Sequence, residues 1–116
     1  MTTVELIKSI ALDFGWIAST DEEEDSVVFD FRHYTKHGQD YGFCAELTEN
    51  QTDGFLGDVK RYCENFDPDY EAYLWIGHNG HGKAGAPYHI KDIVDDMEEA
   101  KKLLEDFYNS LKTALT

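Results

Sequence analysis

The sequence predicts an α+β fold: a three-stranded antiparallel meander packed against helices, in the order α-β-β-β-α-(α)-α, within a single domain spanning residues 1–116. Two runs that alternate apolar and polar residues, at 27–32 and 41–47, carry the sheet, and helical apolar stripes before and after them carry the rest. With 41% hydrophobic and 14% aromatic residues, 116 residues supply core enough for one domain, and no repeat or linker divides the chain.

Residues 3–14 read as an amphipathic helix. Val4, Ile7, Ala11 and Phe14 recur at three- and four-residue steps, Leu6 and Ile10 widen the stripe, and Gly15 supplies a stop. Trp16-Ile17-Ala18 is a short apolar stretch, expected as the first strand. The acidic run Asp21, Glu22, Glu23, Glu24 and Asp25 cannot bury and is expected as a solvated turn. In the second strand Val27, Phe29 and Phe31 alternate with Val28, Asp30 and Arg32. A polar turn, 35–40, leads to the third, where Tyr41, Phe43, Ala45 and Leu47 alternate with Gly42, Cys44 and Glu46.

Helix returns at 52–66, with Phe55, Leu56, Val59, Tyr62, Cys63 and Phe66 on one stripe and Thr52 or Asp53 as its cap. Tyr70 to Ile76 admits helix or strand; the Asp67-Pro68-Asp69 start favours a short helix. Residues 77–87 form a glycine-rich loop. A last helix is expected over Ile90 to Leu115, its inner face marked by Ile93, Val94, Met97, Ala100, Leu104, Phe107, Leu111 and Leu115. This element order parallels that of double-stranded-RNA-binding domains, but the charge argues against RNA binding.

Twenty-four Asp and Glu face ten Lys and Arg, a net charge of −14, of which −8 falls in residues 1–50. Phosphate binding needs clustered cations, so direct nucleic-acid binding and adhesion to anionic membrane are disfavoured; a basic protein partner fits this charge, and solubility alone also explains it. No apolar run is long enough to span a bilayer, and the first residues lack a secretory signal pattern. The two cysteines, Cys44 and Cys63, lack metal or redox spacing, and the chain is expected to be cytoplasmic with reduced thiols.

The stretch Gly77-His78-Asn79-Gly80-His81-Gly82-Lys83-Ala84 fits the phosphate-cradling G-x-x-x-x-G-K pattern. Ala84 replaces the hydroxyl residue that holds magnesium, and Pro87 separates the loop from the following helix. His78, His81 and His89 are candidate metal ligands, but a glycine-rich loop preorganises ligands poorly and surface histidines are the ordinary alternative. His33 and His37 flank the hairpin turn as surface residues; a histidine cluster would respond to pH between about 5 and 8. Cys63 on its apolar stripe reads as a small buried hydrophobe, and Cys44, close to Glu46, is not activated. The aromatics Tyr70, Tyr73 and Trp75, with Tyr88, are core material or recognition anchors.

From Phe66 onward the chain reads F-D-P-D-Y-E-A-Y-L-W-I, then a Gly- and Lys-containing loop, Gly85-Ala86-Pro87, and Ile93-Val94-Asp95-Asp96-Met97-Glu98. This order resembles small acidic proteins of prophages and other mobile elements of anaerobic bacteria. The likeness covers less than half of the chain and brings no known activity. It implies a context in which small acidic inhibitors of host restriction or CRISPR systems occur.

The sequence therefore points to a non-enzymatic protein-interaction module with no cofactor and no catalytic residue, binding another protein through the aromatic-to-glycine segment 70–88 or through an acidic face, the latter suited to a basic surface. The candidate surface comprises Tyr70, Tyr73, Trp75, His78, His81, Lys83 and Tyr88, together with the acidic residues 21–25. The alternative is a DNA-mimic inhibitor of a host nucleic-acid enzyme, of anti-restriction or anti-CRISPR type, whose carboxylates stand in for phosphates. A third reading is metal or anion binding at the His/Gly-rich loop.

Overall fold

In the computed structural model, residues 1–76 and 89–116 are described, and they follow the expected order. Helix α1 (Thr3–Asp13) starts at a capping box: the Thr2 hydroxyl accepts from the Glu5 N–H at 3.1 Å, and the Glu5 carboxylate accepts from the Thr2 N–H at 3.3 Å. Gly15, at φ +81, reverses the chain where a Cβ would be strained. The Trp16 N–H then bonds to the Ala11 carbonyl at 2.9 Å, which drops the indole into the core.

Strands β1 (Ile17–Glu22), β2 (Ser26–Tyr34) and β3 (Asp40–Thr48) form one antiparallel sheet in that order. The first strand is longer than its apolar start implied. Asp21 and Glu22 pair with Val28 and Val27, so the solvated turn is only 23–25. Charged residues are tolerated there because β1 is an edge strand. The core face of the sheet carries Phe29, Phe31, Ala45 and Leu47, all buried. Phe31 packs edge-on against Trp16 and Phe107, with ring centroids at 6.2 and 5.5 Å, and Phe29 meets Phe55 at 5.3 Å.

Helix α2 (Thr52–Asn65) follows a tight turn in which Glu49 and Asn50 hold φ of 52 and 59, as a type I′ reversal requires. Neither Thr52 nor Asp53 caps it. Gln51 is the N-cap residue without a side-chain bond, and the Thr52 hydroxyl instead donates to the Leu115 carbonyl at 3.4 Å. Helices α3 (Pro68–Ile76) and α4 (Ile90–Leu115) complete the layer over the core face. The segment 70–76 is helix, because Pro68 opens it and Asp69 and Glu71 favour its N-terminal end. No described helix is long and apolar enough to cross a membrane.

Candidate functional site

The helical period divides the predicted aromatic surface. Tyr70 and Tyr73 are 58% and 46% exposed on the outer side of α3, beside Leu74. Trp75, only 6% exposed, turns inward with Ala72 and joins the core, so it leaves the candidate surface. His78, His81, Lys83 and Tyr88, and with them the phosphate-loop pattern, lie outside the described residues. His89 is the N-cap residue of α4 and makes no side-chain cap bond. Among the described residues no group of three His, Cys, Asp or Glu could hold a metal ion.

The two hairpin histidines are not loose surface residues. The His33 ring nitrogens face two carbonyl oxygens, Phe14 at 3.0 Å and Tyr34 at 2.8 Å, and the ring packs edge-on against Trp16. His33 thus supplies a partner to the end of α1, whose last carbonyls have none within the helix. His37 bonds to Asp96, a carboxylate 1% exposed on the inner face of α4 towards its N-terminal end. Asp96 also accepts from the Thr35 hydroxyl at 2.7 Å, and the Thr35 hydroxyl in turn accepts from the Gln39 N–H at 3.0 Å. This network fastens the β2–β3 turn to α4, and Asp92 stands 3.9 Å from the other His37 ring nitrogen. A cavity of about 120 Å3 adjoins it, lined by His33, Thr35, Tyr41, Asp96 and Leu103 among others.

The thiols divide as expected. Cys44 is exposed on the outer face of β3 and Cys63 is buried in α2. Burial pushes the Cys63 thiol above its ordinary pKa, Lys101 opposes that, and Glu105 and Glu64 add to it. A raised thiol is a poor nucleophile at neutral pH.

The acids are more organised in space than in sequence. At one end of the sheet, Glu23, Glu24 and Asp25 of the first turn meet Glu49 of the β3–α2 turn around a cleft of about 320 Å3. The Glu49 N–H donates to the Asp25 carbonyl at 2.8 Å and holds the two turns together. Strand pairing also sets three rows across the face of the sheet opposite the helices: Ile17–Arg32–Gly42, Ser19–Asp30–Cys44 and Asp21–Val28–Glu46. This face bears Asp21, Asp30 and Glu46 close together, and Arg32 is the one base in the three rows. Periodicity alone identified the two faces of β2 and β3. It missed the meeting of Glu49 with the first turn, because no local signal links residues 25 and 49.

No protein-family model matches the chain, and no curated protein or solved structure shows significant similarity to it.

Proposed function

We propose that this chain is a non-enzymatic protein-interaction module whose partner presents a basic surface. The observation that carries this reading is the convergence of separate acidic segments, the 21–25 run, Glu46 and Glu49, at one end of a sheet whose outer face holds one base in its three rows. In a chain of net charge −14, these groups create a negative field that steers and orients a cationic partner. Nucleic-acid-binding proteins fall within that partner class, since their phosphate sites are lysine- and arginine-rich. The exposed Tyr70 and Tyr73, flanked by Asp67, Asp69 and Glu71, offer aromatic contact area of the kind that anchors interfaces.

Among the described residues, four groups suited to chemistry have structural employment. Asp96 and His37 hold a turn, His33 meets the end of α1, and Cys63 is a buried thiol. Capture from the native host at about 50 mM and about 500 mM salt tests the reading, because exposed charge pairs weaken as the Debye length shrinks. The expected result is a defined protein partner, retained at low salt, released at high salt and lost with an Asp21→Asn/Asp30→Asn/Glu46→Gln variant. A partner held equally by the variant and at high salt would refute it.

A further inference from the structure

We infer that the docking site is the uncovered face of the sheet, and that its occupant is the lysine- and arginine-bearing surface of a partner protein. The inference rests on the interaction-module reading and names its surface. The four helices pack on the opposite face, so these three rows have no neighbour from another described element except at the β3 edge.

Charge and shape agree on the occupant. Asp21 and Glu46 lie in one row on the outer strands, roughly 10 Å apart by strand spacing, and Asp30 lies in the next row between them. Half-buried Val28 sits between Asp21 and Glu46 in their row, and the small residues Ser19, Gly42 and Cys44 keep the flanking strands low beside it. Beside it runs a groove of about 350 Å3, lined by Val28, Cys44, Glu46 and Tyr62 among others. A lysine or arginine fits such a place in both its parts: the aliphatic stem covers Val28, and the cation reaches the surrounding carboxylates. Arg32 is the one base of the rows, exposed and paired at 3.7 Å with Asp30, and a partner cation can replace it.

Approach is face-on. At the β3 edge, Asp58 of α2 accepts from the outward Glu46 N–H at 3.0 Å and also holds Arg61 at 3.4 Å, so an added strand would meet an occupied edge. The β1 edge is six residues long and ends in Asp21 and Glu22, features that discourage strand addition. The α4 acids Asp95, Glu98 and Glu99 share their shallow surface with Lys102 and no apolar side chain.

Titration of the 15N-labelled chain with decalysine at low salt, followed by amide NMR, tests the inference. The expected shift changes centre on residues 17–21, 28–32 and 42–46. An Asp30→Asn/Glu46→Gln variant with a native-like spectrum binds about tenfold more weakly, while Glu98→Gln/Glu99→Gln binds as the wild type does. Saturable binding that maps to residues 23–25 or 95–99, with the sheet face unmoved, overturns the site and leaves the basic-partner reading standing. Failure of the wild type to bind decalysine at low salt sinks both.

Discussion

His37 gives Asp96 two hydrogen bonds, one from its backbone N–H at 3.3 Å and one from its ring Nδ1–H at 2.9 Å. With the Thr35 hydroxyl at 2.7 Å, three donors from one turn meet a single carboxylate buried inside α4. A buried charge persists only when its oxygens are satisfied, so the turn and the helix depend on each other. Asp96→Ala leaves Thr35 and His37 without their acceptor and is expected to cost about 3 kcal/mol, measured by urea unfolding. Asp96→Asn keeps one acceptor oxygen and should cost less.

Asp96 also marks where the sequence could be read and where it could not. Its place, three residues after Ile93 and four before Ala100, is on the buried stripe, and that spacing was the available signal. An acid inside an acidic run nonetheless looks like surface, because its partners lie some 60 positions away, at Thr35 and His37. The alternation of Val28, Asp30 and Arg32 gave the outer face of β2 directly. The length of β1 was hidden, since Asp21 and Glu22 are poor strand formers held in register by Val28 and Val27. Tertiary pairing decided that element, and local propensity did not.

Gln39 is fully buried, and neither end of its side-chain amide has a hydrogen-bond partner among the described residues. Its backbone serves the turn, through the Thr35 N–H to Gln39 carbonyl bond at 2.8 Å, so the side chain can be exchanged. Removing an unsatisfied buried amide relieves about 1–3 kcal/mol of desolvation cost. Gln39→Met is therefore expected to stabilise the fold by about 1 kcal/mol and raise Tm by several degrees in a calorimetric scan. A lower Tm would contradict this account of the turn.

Two glycines should respond in opposite directions. A Cβ on Gly42 would come 2.3 Å from the Phe31 carbonyl oxygen, a backbone atom that cannot move without breaking the β2–β3 pairing. Gly42→Ala is expected to cost about 2 kcal/mol or more. Gly57, inside α2, meets nothing within 4 Å, and Gly57→Ala should stabilise by about 0.5–1 kcal/mol through helix propensity. Paired denaturation curves measure both.

Alkaline pH should destabilise the fold through three groups that burial keeps protonated. Burial, with Glu71 beside it, pushes the Tyr62 phenol from 10.0 up to about 12. Burial and the neighbouring Tyr62 push Tyr41 up as well, and burial raises the Cys63 thiol. In each case the folded state holds its proton more tightly than the unfolded chain does. Stability is then full below the ordinary pKa values and falls as pH climbs from about 9 through 12. Thermal scans between about pH 8 and 11 should show a steady decline, smaller in Tyr62→Phe. Over the same range a thiol reagent should label exposed Cys44 promptly and Cys63 only as the chain opens.

The outer face of the sheet is proposed to meet a basic protein surface. Zero-length carbodiimide coupling in native-host extract tests it most directly, because it joins carboxylates to lysine amines only where they touch. Conjugates from Asp21, Asp30 and Glu46 to lysines of one partner are expected, abolished by high salt added beforehand. Coupling confined to the α4 acids Asp95, Glu98 and Glu99, with the three sheet carboxylates unmodified, would contradict it.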